Sequence, residues 1–425
     1  MAAAATVLRV SVISVLLLVS ALRALATEAE EVAFLGYRFR GHEWEHLKAI
    51  VKCWGEKGAW RYKANVLLVT EGLDQFQARL RRFSPCHNAQ SYDFYGKQRA
   101  CYWVFDSNTS NYEWALPDKS CHGFGGYEDK FEVDNVCDIM RHSGGNMMIV
   151  GDSLMYHFGL SLMNLAFRGP NMPYPDHDAC NAQYDGGVQT RVGGVAFPCG
   201  LQNEPGDKER TVTLQEVIEV AQRNGPAPRL FVARNDHLTL MSETVVLPQY
   251  TYSDWISDIS RNNISLILMN RGAHYEDDDK LLSGLNASLH YVRTQHPHIS
   301  IIWRNTPYGH HSYAGQFTLA PLQQPIPNSE LGDSPLGDFS YRHFEHQNKL
   351  VEAMIQTHYP EVLVMDVFTA TVLRVDSHAD PVHYCTPSGA YNNWVFMLGG
   401  AMRLVSEYHK EVQNVKNVKI EQGWT

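Results

Sequence analysis

Ser153 and His383, far apart in the chain, are the residue types that acyl-transfer chemistry needs. Ser153 ends a Gly-Asp-Ser sequence that follows an apolar run at residues 147–150 and opens a helical pattern. Asp380 lies three residues before His383, a spacing that lets a carboxylate orient an imidazole and fix its tautomer. These three residues would supply the nucleophile, the base and the orienting carboxylate of a serine hydrolase or acyltransferase.

Each pattern also has a structural interpretation. Asp and Ser are preferred at helix N-caps, so Gly-Asp-Ser can be an ordinary helix start in which Asp152 shapes the turn. In a chain with 20 histidines, an Asp close to a His is often a surface pair. Position favours catalysis, because open α/β sheets bind ligands at the carboxyl ends of their strands. A helix that starts there directs its first N–H groups at a developing oxyanion.

Candidate oxyanion donors stand at the ends of neighbouring predicted strands. Asn270 follows the most apolar strand, and its amide would join the backbone N–H groups of Gly151 and Ser153. An asparagine in this position is equally well explained as a turn residue. Arg234 and Asn235 follow another strand, compete for the same role and are also candidates for a substrate pocket.

His274 is a further pocket candidate, with a structural role as its alternative. The eight cysteines include no Cys-x-x-Cys pair, which argues against zinc and thioredoxin-like chemistry. The sequence therefore predicts neither a bound metal nor a bound cofactor.

The elements that must position these residues alternate between strand and helix patterns. Apolar, β-prone segments occur at 147–150, 229–233, 264–270, 299–303 and 362–367. Amphipathic segments occur at 154–167, 214–223, 280–295 and 344–358, with a terminal helix at 392–410. This alternation predicts a three-layer α/β/α domain with a parallel sheet over residues 141–415.

The region 33–140 has a different character. It holds five of the eight cysteines, many aromatic residues and little regular periodicity. We expect a loop-rich subdomain that is stapled by disulfides and packed against the sheet. Cys385, two residues after His383, is expected to anchor the catalytic loop through a disulfide, with a free buried thiol as the alternative.

Residues 1–26 have the composition of a signal peptide or a signal anchor, and an Ala-Leu-Ala cleavage pattern ends them. Both interpretations place the body of the protein in the secretory lumen, and any membrane contact is through this segment alone. Sequons at Asn108, Asn263 and Asn286 fit that compartment. The net charge of −10 argues against nucleic acid as a partner.

Five sequence blocks, in order, resemble the plant trichome-birefringence-like polysaccharide O-acetyltransferases and their PC-esterase relatives in the SGNH/GDSL superfamily. The blocks are Cys53-Trp54-Gly55, Tyr112-Glu113-Trp114, Gly151-Asp152-Ser153, Asn270-Arg271-Gly272 and Asp380-Pro381-Val382-His383. The chain departs from the family at Pro381, where cysteine is usual, and at Tyr275 and Tyr384, where tryptophan is usual.

The resemblance implies an O-acetyltransferase that moves an acetyl group through an acyl-serine onto hydroxyls of a polysaccharide or glycan. The acetyl donor is a co-substrate left open, with acetyl-CoA as one candidate. The resemblance also implies a type II Golgi membrane protein, with a secreted protein as the alternative. Two other functions remain open. The same triad would serve a lumenal carbohydrate acetylesterase, and a non-catalytic carbohydrate-binding module would keep the same fold.

Overall fold

The predicted strands form a sheet at the centre of the protein. The computed structural model describes residues 31–62, 112–116, 121, 133–162, 191–192, 228–241, 245–246, 251–310, 321–331, 339–378, 381–384 and 390–421. The strands in these residues are β1 (Glu31–Phe34), β2 (Tyr37–Arg40), β3 (Ala59–Tyr62), β4 (Tyr112–Ala115), β5 (Asn146–Gly151), β6 (Arg191–Val192), β7 (Leu230–Arg234), β8 (Val245–Val246), β9 (Thr251–Tyr252), β10 (Ile264–Met269), β11 (Ser300–Arg304) and β12 (Leu363–Met365). The helices are α1 (Gly41–Lys57), α2 (Val133–Ser143), α3 (Ser153–Leu162), α4 (Trp255–Arg261), α5 (Asp278–Gln295), α6 (Phe344–His358), α7 (Phe368–Thr371) and α8 (Ala390–Glu421).

The main sheet has the order β12-β11-β10-β5-β7-β6. The first five of these strands are parallel, and the short β6 runs antiparallel to β7 at one edge. In chain order the parallel strands follow the doubly wound pattern 2-1-3-4-5. In such sheets the connections diverge between the first and third strands, here β5 and β10, and ligands bind in the crevice at their carboxyl ends.

Helices cover both faces of the sheet, which confirms the predicted α/β class. Successive residues of a strand point to opposite faces, and β5 shows this clearly. Met147 and Ile149 pack in one buried cluster with residues of α1, α2, α3 and α8. Met148 and Val150 pack in a second cluster with α4, α5 and α6. The sheet therefore has a complete apolar layer on each side.

The N-terminal region contains a long helix that the sequence interpretation missed. α1 has 17 residues, and it buries Trp44, Leu47, Val51 and Trp54 in the same cluster as the sheet residue Met147. The three- and four-residue spacing of these side chains is a helical signal that the many aromatic residues of the region obscured. A disulfide joins Cys53 of α1 to Cys121, so the expected disulfide staple is confirmed.

Several predictions from the sequence lie outside the described residues: the leader at 1–26, the helix at 214–223, Asp380 and the tether at Cys385. They stay predictions, as do the domain boundaries. Within the described ranges, no helix is both long enough and apolar enough to cross a bilayer.

Candidate active site

The structure brings Ser153 and His383 together although 230 residues separate them. Ser153 is the first residue of α3 and lies just beyond the carboxyl end of β5, at the crevice beside β10. Its Oγ is 2.7 Å from Nε2 of His383, and the serine is 8% exposed. A serine hydroxyl that donates to an unprotonated imidazole nitrogen is the nucleophile–base contact of serine acyl transfer.

Asp152 is fully buried and fixes the turn that presents the serine. Its Oδ1 accepts hydrogen bonds from the N–H groups of Leu154, at 3.0 Å, and Met155, at 3.2 Å. Its Oδ2 accepts from the N–H of Ala273 at 3.4 Å, which ties the loop after β10 to the start of α3. A carboxylate at a helix N-terminus is also favoured by the helix dipole. Asp152 therefore caps the nucleophile helix.

Arg304, at the end of β11, places a buried positive charge next to Asp152. Its Nη2 is 3.7 Å from Asp152 Oδ1, and neither side chain is exposed to solvent. The guanidinium also lies 5.2 Å from the Trp394 ring and donates from Nη1 to the carbonyl of Asn305. Burial lowers the pKa of Arg304 to about 10, and Asp152 opposes this shift. The two opposite charges compensate each other in the buried interior beneath the nucleophile turn.

His383 belongs to a short segment, residues 381–384, that contacts two other loops. The N–H of His310 donates to the carbonyl of Pro381 at 3.0 Å. The Tyr384 hydroxyl donates to the carbonyl of Tyr308 at 2.5 Å, and an isolated β-bridge joins His378 to Tyr384. The loop after β11 therefore positions the base.

Two aromatic side chains line the inner side of the base. His157, one helical turn after Ser153, has its ring centroid 5.3 Å from that of His383. The Tyr391 ring stacks on that of His157 at 5.8 Å. His157 is 7% exposed, so the His383 ring packs against a buried side chain.

The candidate oxyanion residues have clear architectural contacts. A Cβ on Gly151 would lie 2.7 Å from the carbonyl oxygen of Asn270, so only glycine permits this approach of β5 to β10. The Asn270 side chain donates to the carbonyl of Arg304 at 3.0 Å and lies 3.5 Å from Thr306 Oγ1. It joins the ends of β10 and β11, and its oxyanion role stays a prediction.

Asn235 and Arg234, two of the three candidate pocket residues, make contacts within the loop after β7. Asn235 is fully buried and binds the backbone of Thr239 and Ser253, so it fixes the loop after β7. Arg234 forms a two-contact ion pair with Asp236.

His274 is a buried pocket candidate next to Asp236. Its Nε2 is 3.8 Å from Asp236 Oδ1, and its ring packs on that of Phe339 at 5.1 Å. Burial lowers the pKa of His274, and the carboxylates of Asp236 and Asp152 oppose the shift. Arg234 and His383 make smaller contributions that lower this pKa further.

Sequence reasoning did not identify Arg304, His157 or the histidine pair formed by His310 and His378. In that pair, Nδ1 of His310 is 2.6 Å from Nε2 of His378, and both side chains are buried. A charged residue at the end of a buried strand was a usable signal for Arg304. The histidines had no local signal, because their partners lie 68 and 226 residues away in the chain.

No protein-family model matches the sequence, and no curated protein is significantly similar to it. Among solved structures, the periplasmic domain of a lipopolysaccharide acetyltransferase from Salmonella ser. Paratyphi A aligns with 63% of this chain and 96% of that chain. The identity is 11% and the TM-score is 0.29, values at which the likeness carries no argument about function. The family resemblance therefore stays a prediction.

Proposed function

We propose that the protein is an O-acetyltransferase that uses Ser153 as nucleophile and His383 as base, with a carbohydrate hydroxyl as acceptor. The observation that carries this proposal is the 2.7 Å contact between Ser153 Oγ and His383 Nε2 at the carboxyl edge of a parallel sheet. General-base help of this kind is worth about 10²–10⁴ in rate. The five sequence blocks that resemble polysaccharide O-acetyltransferases supply the choice of acetyl group and acceptor.

In the first half-reaction, Ser153 Oγ attacks the carbonyl carbon of the acetyl donor while its proton passes to Nε2 of His383. The bond to the donor's leaving group then breaks, and the imidazolium returns the proton to that group. Among the first-turn N–H groups of α3, those of Leu154 and Met155 already donate to Asp152. We therefore assign the N–H of Ser153 to the oxyanion.

In the second half-reaction, an acceptor hydroxyl attacks the acetyl-serine and gives its proton to His383, which returns it to Ser153 Oγ. Water at the same position would make the protein an esterase. The sequence blocks that resemble polysaccharide O-acetyltransferases favour transfer. Asp380 is the proposed partner of the imidazole Nδ1–H.

The compartment that we propose is the secretory lumen, where glycans are assembled. The disulfide between Cys53 and Cys121 supports an oxidising environment. Retention of the leader as a Golgi anchor is part of the same proposal. N-terminal sequencing of the mature protein tests it, because a start at Thr27 would exclude the anchor.

The test is to incubate the purified protein with acetyl-CoA or an acetylated oligosaccharide and to map the acetyl group by mass spectrometry. We expect an acetyl-Ser153 peptide, with loss of the adduct and of activity in Ser153→Ala. The matched control is Ser143→Ala, which removes a serine hydroxyl at the other end of β5, where Ser143 contacts Ser265 at 2.8 Å. Full activity of Ser153→Ala would contradict the assignment.

Measuring acetyl gain on a glycan panel together with free acetate separates the alternatives. A transferase acetylates the glycan in proportion to donor consumed, whereas an esterase releases acetate at the same rate with or without acceptor. A carbohydrate-binding module would bind the glycan and show neither product.

A further inference from the structure

An aromatic groove lies where the β3–β4 ribbon meets α7 and residues 321–326. It has a volume of about 750 Å³, within the range of small-ligand sites. Its main apolar lining is Trp60, Tyr112, Trp114, Tyr308, Leu322 and Phe368. None of these residues takes part in the proposed acetyl-transfer chemistry, so the groove has no function assigned so far.

The two tryptophans of the groove, Trp60 and Trp114, are held in place by hydrogen bonds and ring contacts. The Trp60 indole N–H donates to the carbonyl of Ala370 at 2.7 Å, and the Arg374 guanidinium lies 4.1 Å from the ring centroid. Trp114 meets Trp60 edge to face at 5.5 Å and donates its own N–H to the carbonyl of Trp54. Rings that are fixed before binding lose little conformational entropy when a ligand stacks on them.

The chemistry of the lining favours an uncharged sugar chain. Flat aromatic rings suit the C–H faces of pyranoses, and Gln323 and Thr369 at the groove offer hydrogen-bonding groups for hydroxyls. Among the described residues that line the groove, Glu345 is the one with a charged side chain, and its carboxylate pairs with Lys349 at 2.6 Å. A groove without a basic wall does not attract uronate or phosphate polymers.

The groove is continuous with the catalytic elements through the protein interior. Tyr308 and Phe368 belong to the same buried cluster as Leu154 and Val382, the chain neighbours of Ser153 and His383. The carbonyl of Tyr308 also accepts the hydrogen bond of the Tyr384 hydroxyl. A chain seated in the groove would therefore contact Tyr308, whose carbonyl holds the segment that carries His383.

We propose that this groove binds a neutral polysaccharide segment and holds the acceptor chain beside the acetyl-transfer site. The identity of the bound chain as the acceptor rests on the proposed function, whereas carbohydrate binding itself does not.

Tyr112 and Tyr62 allow a matched test, because they are cross-strand partners whose rings contact each other at 5.4 Å. The described lining of the groove includes Tyr112, whereas Tyr62 is 49% exposed and is not part of it.

The experiment is isothermal titration calorimetry of the full chain carrying Ser153→Ala, so that no turnover interferes. The probes are neutral xylo-, manno- and cello-hexaose, with oligogalacturonate as a charged probe and decanoate as an acyl-chain probe. We expect a neutral hexaose to bind, and Tyr112→Ala to weaken it by at least about 10-fold. Tyr62→Ala loses the same ring contact and should change the affinity by less than about two-fold.

Equal effects of the two tyrosine substitutions would overturn the proposal, as would binding of only oligogalacturonate or decanoate, or of no probe. As a second variant, Thr369→Trp fills the groove without removing one of its rings and should abolish hexaose binding. Hexaose binding by Ser153→Ala, together with no acetyl-serine formation in the protein that retains Ser153, would keep the groove and reject the proposed enzyme function. Acetyl transfer that is unchanged in Thr369→Trp would keep the enzyme function and reject the groove as the acceptor site.

Discussion

The nucleophile and the base of the proposed site are held in different ways. Ser153 lies just beyond the end of β5, at the start of α3, and Asp152 and Arg304 fix its turn from a fully buried position. His383 lies in a short segment away from the sheet, and contacts to the loop after β11 hold it. The nucleophile turn is thus held by a buried charge pair, whereas the base is held by hydrogen bonds to a loop that is distant in the chain.

This difference predicts different consequences of mutation. Changes at the nucleophile turn leave buried charges or buried donors without partners, so they reduce the free energy of unfolding. Changes at the loop contacts of the base shift His383 relative to Ser153 by a small distance. A misplacement of about 1 Å can cost roughly 10²-fold in rate, so they reduce kcat more than stability.

The largest expected effect on stability is that of Asp152→Ala. It removes the acceptor of three N–H groups and leaves the buried Arg304 without its carboxylate. Breaking a buried charge pair in this way costs about 3–5 kcal/mol. Chemical denaturation with urea measures the loss directly.

The matched control for Asp152 is Asp254→Ala at the start of α4. Asp254 is also buried and accepts the N–H of Ser257 as a helix N-cap. It should cost about 1 kcal/mol, the usual value of an N-cap. The double variant Asp152→Ala with Arg304→Met should be more stable than Asp152→Ala alone, because the unpaired buried charge is then absent. Equal losses for Asp152→Ala and Asp254→Ala would contradict the importance of the pair.

A smaller stability effect with a larger kinetic effect is expected for Tyr384→Phe. The substitution leaves the carbonyl of Tyr308 without the phenol donor, at a cost of about 1–3 kcal/mol. Because His383 is the preceding residue, we expect kcat to fall by about 10-fold or more while KM changes little. Steady-state assays of acetyl transfer give both constants.

Tyr359→Phe provides the comparison for Tyr384→Phe. The Tyr359 hydroxyl donates to the carbonyl and the side chain of Asn286, on the side of the sheet covered by α5 and α6. It should lower stability by a similar amount and leave kcat unchanged. If both variants lose the same fraction of kcat, the contact at Tyr384 does not position the base.

The same contrast explains how much of the molecule was predictable from sequence. The five parallel strands and the helices α3, α5, α6 and α8 follow periodic patterns within single segments, and the structure has each of them. The turn at Ser153 was predictable because its contacts to Leu154 and Met155 are local in sequence. The α1 helix had an equally local pattern, which the density of cysteines and aromatics in the region concealed.

The environment of the base was not predictable, because it depends on contacts between distant segments. The partner of Pro381 is His310, and the partner of Tyr384 is Tyr308, both more than 70 residues earlier in the chain. No periodicity or short motif encodes such pairs. Arg304 is an intermediate case, since its place at a strand end was readable and its pairing with Asp152 required the strand order.

The last prediction concerns the pH dependence of stability at His310, whose backbone N–H contacts the segment that carries His383. Nε2 of His310 donates to the carbonyl of Val372 at 3.0 Å, so Nδ1 is the acceptor for the N–H of His378. Burial, with a smaller contribution from His378, holds the pKa of His310 well below its usual value of 6.5. The folded protein therefore binds fewer protons at this site than the unfolded chain does.

A depressed histidine pKa stabilises the fold fully above pH 6.5, and this contribution decreases as the pH falls below 6.5 toward the folded-state pKa. We expect the free energy of unfolding to fall by up to about 1.4 kcal/mol per pH unit in that range from this group. His310→Gln cannot titrate, yet its amide can still donate to Val372, so its stability should depend less on pH. His358→Gln, at the exposed end of α6, should keep the wild-type slope. Parallel plots of unfolding free energy against pH for wild type and His310→Gln between pH 7 and 5 would contradict this prediction. A flatter plot for His310→Gln would assign part of the acid sensitivity to the loop that contacts the segment of His383.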